Sequence, residues 1–231
     1  MAKHVESQTT TEKEVTENVD MALSKTGAFI IENKKALLIA LGVLLLVVAG
    51  VLVYNSVMES KESEASAQLA LGQNYFAIQN YEVSLEGDSL DFPGFPAIAD
   101  EFGWTKSGKL AKVYAGLSYY KLGRYDEAIE SLKNVSLKDD VLKYNVLATV
   151  GDCYAQQGDL DNAIKYFEKA AKADLELVKA NALFKLAKAY ESAGKKDKAL
   201  KAYQRIKEEC GGKVRLPDVM EVDKYIEMVS E

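Results

Sequence analysis

The sequence feature that most constrains the fold is a pattern that recurs three times at a nearly constant interval. Tyr119, Tyr154 and Tyr190 are 35 and 36 residues apart. Three glycines and three alanines keep the same intervals: Gly123, Gly158, Gly194, Ala128, Ala163 and Ala199. Units that repeat in this way each bury their apolar face only against the next unit, so the chain is predicted to form a solenoid.

The central copy, residues 150–170, shows what one unit contains. Its sequence, VGDCYAQQGDLDNAIKYFEKA, places apolar and small residues at helical spacing on both sides of a polar break. This indicates two short amphipathic helices joined by a turn at Gly158. A period of roughly 34 residues with this content is typical of tetratricopeptide repeats. Residues 105–210 resemble that family, which implies an all-α fold. The predicted units are Lys109–Leu137, Tyr144–Ala173 and Ala180–Glu209.

An incomplete unit precedes these three. The sequence Leu-Gly-Gln-Asn-Tyr at residues 71–75 matches the later repeats, but Tyr75 lies 44 residues before Tyr119, so a loop is inserted at residues 85–96. Residues 97–102 are predicted to form the second helix of this unit, ended by Gly103. Two interpretations of the aromatic residues here are open, a cap on the solenoid or an exposed binding edge. These residues are Phe92, Phe95, Phe102 and Trp104.

Residues 36–53, ALLIALGVLLLVVAGVLV, contain no charged side chain. Eighteen residues of helix rise about 27 Å, close to the ~30 Å hydrocarbon core of a bilayer, so the run predicts a transmembrane helix. A buried core helix is disfavoured because the run is apolar on every face. A cleaved signal peptide is disfavoured because a long acidic tail precedes the run and no small-residue cleavage site follows it.

The cations that flank this run predict its orientation. Lys25, Lys34 and Lys35 lie within 20 residues on the amino side, and only Lys61 lies on the carboxyl side. Positive-inside counting places the amino terminus in the cytoplasm and the repeats across the membrane. In the tail, Thr11 and Glu14 suit a helical capping box, although an irregular tail fits the sequence equally well.

Past the repeats, Pro217 is predicted to open a last helix over residues 218–230. One face of this helix is apolar and the other charged, as a terminal solenoid cap requires; the apolar face comprises Val219, Val222, Tyr225, Ile226 and Val229. The chain is thus predicted to comprise a tail (1–33), a transmembrane helix (34–54), a stalk with the incomplete repeat and its loop (55–104), the repeats (105–215) and the cap (216–231).

Composition and motifs argue against several classes of function. The net charge of −6 does not suit nucleic-acid binding, which requires a basic stripe. Cys153 and Cys210 are predicted to be unpaired thiols, and the single histidine, His4, lies in the tail. With no phosphate loop and no cysteine–histidine pair, the sequence predicts no enzyme, cofactor or metal site. Asp139-Asp140 and Asp159/Asp161 fall in turns, where they are expected to cap helices.

The repeat register assigns residues to the inner face of the solenoid, where a partner is expected to bind. The inner-face positions are Leu110, Val113, Leu117, Tyr120, Asn145, Ala148, Asp152, Asn181, Phe184 and Lys188. Repeats that clamp a carboxyl-terminal peptide resemble one another in carrying Lys and Asn along this face, and the apolar first set here lacks the cation. The gradient from apolar to polar suits an amphipathic helix or an apolar extended segment. Alternatively, residues 110–120 simply pack under the first repeat.

The whole layout resembles a narrower group. The chain is similar to the YfgM-type membrane-anchored repeat proteins, which are ancillary to the Sec translocon. The similarity lies in Lys34-Lys35 before an apolar run, a stalk, the block Ile-Ala-Asp-Glu-Phe-Gly-Trp-Thr at 98–105 and the following GKLAKVYAGLSYYKLGRYDEAIESL. The resemblance implies a periplasmic scaffold without enzymatic activity. Its expected partners are translocon subunits, membrane-tethered chaperones or emerging polypeptides.

Two other functions remain open at this point. A cytosol-facing adaptor or import receptor would have the opposite topology. An enzyme would need a site hidden in the loop at residues 85–96.

Overall fold

The computed structural model describes residue 27 and residues 29–88, 90–210 and 221–230. These residues form helices and no strand, which confirms the all-α fold. The tail at His4, Thr11 and Glu14 lies outside the described residues, as do Pro217 and Val219. In chain order the helices are α1 (Lys34–Ala77), α2 (Tyr81–Glu86), α3 (Phe95–Phe102), α4 (Lys106–Lys121), α5 (Tyr125–Lys133), α6 (Asp140–Gln156), α7 (Leu160–Ala170), α8 (Glu176–Ser192), α9 (Lys196–Cys210) and α10 (Val222–Ser230).

The chain divides into two compact units, Met1–Val57 and Met58–Glu231. In the first, α1 carries the apolar run, and the large side chains of that run are exposed, Leu46 for example by 75%. The most apolar window of α1 has a mean hydropathy of 3.2 and is 0% buried. By length and composition the helix is therefore suited to cross a membrane.

In the second unit, the three repeats turn at their glycines in the same way. Gly158 has φ = +79°, a left-handed conformation that a residue with a Cβ rarely adopts. The N–H of Asp159 donates to the carbonyl of Tyr154 at 2.9 Å, and the N–H of Gly158 donates to that of Ala155 at 3.1 Å. This pair of bonds is a Schellman cap. It explains the sequence period, since Tyr119 and Tyr190 accept the equivalent bonds from the residues that follow Gly123 and Gly194.

Within a repeat, a glycine lets the two helices approach closely. A Cβ at Gly151 of α6 would lie 2.6 Å from the Phe167 ring of α7. Asp159 is the N-cap of α7, where its carboxylate accepts from the N–H of Asn162 at 3.1 Å. Asp139 caps α6 in the same manner through Leu142. These aspartates therefore have the capping role that the sequence indicated.

The inserted loop forms a cap on the amino-terminal repeat, which we call the N-terminal cluster. Phe92, Phe95 and Phe102 are at most 1% exposed and pack with Leu69 of α1 and Ala111 of α4. Trp104 does not join them, because its side chain is 60% exposed. The capping interpretation thus holds for the three phenylalanines, and only Trp104 is left on the surface.

A carboxylate of α1 caps the first complete repeat. Glu62 accepts hydrogen bonds at the N-terminus of α4 from the backbone N–H of Lys106 at 2.7 Å and from the hydroxyl of Ser107 at 2.7 Å. Burial of Glu62 opposes its ionisation, but the hydrogen bonds from Ser107 and Lys106 outweigh burial and leave the pKa of Glu62 below its ordinary value. The incomplete repeat is therefore joined to the next one by a charge-assisted cap.

The rest of the core forms two further clusters. The middle cluster is built around Val113, Leu132, Val150 and Tyr166 of α4–α7. The C-terminal cluster occupies α6–α10, and its Tyr203 and Tyr225 rings stack with centroids 5.4 Å apart. The described part of α10 covers this cluster, as predicted for a cap. Cys153 and Cys210 are buried, free thiols in the middle and C-terminal clusters, and burial raises the pKa of Cys153 to about 12.

Candidate protein-binding groove

A groove of about 240 Å³ runs between the first helices of the last two repeats, α6 and α8. Its walls combine apolar side chains with charged groups. The lining residues are Asp152, Ala155, Leu160, Phe167, Phe184, Lys185, Lys188, Ala189 and Ser192. Ligand pockets for whole small molecules usually measure about 300–1,000 Å³. The groove therefore suits one or two side chains of a peptide better than a complete small molecule.

An ion pair crosses the groove. The ammonium of Lys185 on α8 donates to the carboxylate of Asp152 on α6. Burial raises the pKa of Asp152, and the nearby charge of Lys185 offsets only part of that rise. A partner group that donates a hydrogen bond to this carboxylate would find an acceptor already shielded from water, where polar contacts are stronger than on open surface.

The apolar wall of the groove is held in place from behind. The ring of Phe184 packs edge-on against Tyr225, with centroids 5.1 Å apart, and against Tyr203 at 5.8 Å. Lys188 is held by Glu191 at 2.8 Å and lies 5.5 Å from the Tyr225 ring centroid. Groups fixed by such contacts lose little rotamer freedom when a partner binds. The wall is therefore preorganised.

The structure brings together three of the residues assigned from sequence, Asp152, Phe184 and Lys188, in this groove. Asn145 and Asn181 are exposed on the same helices but lie outside the lining. Ala148 is 6% exposed and belongs to the C-terminal cluster.

The inner-face residues of α4 have a different environment. Val113 is 1% exposed, so it offers no surface to a partner. Leu110, Leu117 and Tyr120 are partly buried against the middle cluster. Tyr120 also meets the Tyr125 ring at 6.1 Å, and burial raises its pKa. Packing between the helices therefore accounts for these apolar side chains without a partner. Of the three, only Leu110 also packs under the first, incomplete repeat, as the alternative interpretation proposed.

Sequence reasoning missed several lining residues. Lys185 follows Phe184 directly and stands 33 residues after its partner Asp152, close to the repeat period. That interval was the available signal for a contact between equivalent helices. Leu160 and Ser192 were missed because they sit at helix ends, where helical periodicity gives little guidance.

The charged groups of the described residues suit contacts with a peptide. Among them, no set of three His, Cys, Asp or Glu side chains is close enough to hold a metal ion. The arrangement supplies one shielded carboxylate, two ammonium groups and an aromatic wall, which together match a mixed polar and apolar peptide surface.

Comparison with known proteins assigns the repeat type. Residues 110–138 and residues 142–208 each match a family model described as tetratricopeptide repeat. A stretch of 100 residues, 43% of the chain, is 30% identical to human Superkiller complex protein 3, and it spans 6% of the length of that protein. Such a short overlap says nothing about the whole protein's activity. The matched segments coincide with the helix pairs α4–α5, α6–α7 and α8–α9, and the chain is therefore an all-α protein that contains tetratricopeptide repeats.

Proposed function

We propose that this protein is a membrane-tethered scaffold that binds protein segments in the periplasm and supports Sec translocation or envelope protein folding. The observation that carries the proposal is the groove between α6 and α8, which combines an aromatic wall with a shielded charge pair. Tetratricopeptide repeats generally bind protein partners. The amphipathic or apolar segments expected from sequence fit this lining, because Phe184 offers apolar contact and Asp152 offers a hydrogen-bond acceptor.

The tether and its orientation rest on the apolar part of α1. The exposed, uncharged run following Lys34-Lys35 supports a membrane span with a cytoplasmic amino terminus. The YfgM-like layout supports translocon subunits, membrane-tethered chaperones or emerging polypeptides as the partners. A cytosol-facing adaptor is the competing function, and it requires the opposite topology.

The topology is tested by a carboxyl-terminal alkaline phosphatase fusion in a Gram-negative host. We expect an active phosphatase, because the enzyme folds only outside the cytoplasm and the lysine flank should stay inside. Replacing Lys34 and Lys35 by glutamine should lower the active fraction, since it removes the bias that sets orientation. An inactive phosphatase together with an active cytoplasmic reporter at the same position would favour the cytosol-facing adaptor.

The groove is tested by photo-crosslinking in cells. A photoreactive amino acid at Asn181, which is exposed beside the groove, should crosslink a partner, whereas the same group at Lys165 on the exposed face of α7 should not. Ser192→Trp should fill the groove and reduce the Asn181 crosslink about tenfold, equivalent to ~1.4 kcal/mol of binding.

The matched control is Gln204→Trp, which places the same indole on the exposed side of α9. It should leave crosslinking unchanged. Equal crosslinking in the wild type and in a folded Ser192→Trp variant would show that the partner binds elsewhere.

A further inference from the structure

A second cavity among the described residues lies on the other side of the repeats from the groove. It measures about 410 Å³ and is formed by the second helices of the last two repeats, α7 and α9, with Leu186 and Tyr190 of α8 between them. It shares no lining residue with the groove. Its floor is closed and apolar, since Ala171, Leu186 and Ala202 are each at most 4% exposed.

The rim of this cavity is basic in an acidic protein. Lys172, Lys198, Lys201 and Arg205 line it together with one anion, Glu168, a local balance of +3. The chain as a whole has a net charge of −6. A local excess of positive charge against that background attracts anionic partners.

Most of these cations are available to a ligand. Arg205 pairs with Glu209 at 2.7 Å, whereas Lys172, Lys198 and Lys201 form no ion pair with any described residue. The ammonium of Lys198 lies 5.6 Å from the Tyr190 ring centroid, which holds it at the rim. The one anion is already engaged, because Glu168 accepts the Tyr190 hydroxyl at 2.7 Å.

The spacing of the cations indicates the shape of the ligand. Lys198, Lys201 and Arg205 lie on one face of α9, three and four residues apart. They are therefore separated by roughly 4.5 and 6 Å along the helix. Same-side residues of an extended peptide are about 6.6 Å apart, so successive acidic side chains match this row.

We infer that this cavity docks an extended acidic segment of a protein partner, with carboxylates on the Lys198–Lys201–Arg205 row and an apolar side chain over Leu186. A scaffold with this second site engages two segments at once, one in the groove and one on the opposite side. Linking two binding events in this way raises overall affinity without new contacts at either site.

The test uses the full chain in neutral detergent and a fluorescein-labelled peptide of about ten residues, alternating glutamate with leucine or serine. We expect saturable binding that weakens as salt rises, and no binding of the peptide with glutamine in place of glutamate. The charge-reversed double variant Lys198→Glu/Lys201→Glu should weaken binding about tenfold or more, because two attractive contacts become repulsive.

The matched control is Lys165→Glu/Lys196→Glu, which changes the net charge equally on exposed residues of α7 and α9 that lie outside the cavity. This control should bind like the wild type. Equal weakening by the two double variants, or equal binding of the glutamine peptide, would overturn the proposal. Displacement of the peptide by equimolar inorganic phosphate, or by micelles containing phosphatidylglycerol, would overturn it in favour of a small anion or a lipid headgroup.

Discussion

Replacing Phe95 by alanine is expected to lower the free energy of unfolding by about 3–5 kcal/mol, the usual cost of removing a fully buried phenylalanine. Phe95 is 0% exposed, stacks on Tyr114 with centroids 5.1 Å apart and meets the Phe92 ring edge-on at 5.5 Å. The substitution would also remove one of the two phenylalanine rings that lie against Gly72 of α1, the other being that of Phe92. Thermal unfolding of the full chain in detergent, followed by circular dichroism, should show a midpoint roughly 10 °C lower.

Trp104→Ala provides the matched control. Trp104 is a larger aromatic residue nine positions further along, but it is 60% exposed. Its replacement should change the free energy of unfolding by no more than about 0.5 kcal/mol. Equal midpoints for Phe95→Ala and Trp104→Ala would show that the loop does not cap the amino-terminal repeat.

Ala163→Trp is expected to destabilise the repeats by ~1–3 kcal/mol or more through overpacking. Ala163 is 0% exposed in α7, one turn before Phe167, whose ring already fills the space beside Gly151. An indole has no room there unless α6 and α7 separate. The melting temperature of the full-chain variant should fall by several degrees relative to the wild type.

Lys165→Trp, two residues further along α7, is the control for Ala163→Trp, because residue 165 is exposed. That variant should melt close to the wild type. An unchanged melting temperature for Ala163→Trp would mean that the repeat register is displaced by at least one position.

The repeats were predictable because one local device recurs in each. Each turn of the three repeats is fixed by contacts between residues that are close in sequence. The contacts involve a left-handed glycine, a tyrosine carbonyl that accepts the Schellman bond and a small residue in the following helix. Sequence periodicity reports such local contacts directly. The family matches over residues 110–138 and 142–208 confirm the same assignment.

The inserted loop was less predictable, since long-range packing decides its structure. The short helix α2 was missed because Tyr81–Glu86 is too brief to show a helical period. The sequence also could not separate Trp104 from the three phenylalanines, because burial there depends on which side chains reach α1 and α4.

The candidate groove was predictable in part, because helical periodicity indicates which residues of a helix share a face. Helical phase placed Asp152, Phe184 and Lys188 on a common face, and the structure puts them in one groove. Phase alone could not show that Lys185 reaches across to Asp152. Nor could it show that Val113 and its neighbours on α4 are covered by the middle cluster.

Among the described residues, a few partly buried side chains pack against two neighbouring clusters of the core. Leu110 and Tyr119 touch both the N-terminal and middle clusters, and Leu147 and Tyr154 touch both the middle and C-terminal clusters. Each repeat is thus coupled mainly to its nearest neighbour, as in other repeat proteins. A partner held in the groove would protect the backbone amides of the last two repeats from hydrogen exchange most strongly. That protection would fade toward Phe95, so the two ends of the solenoid would open independently even in the complex.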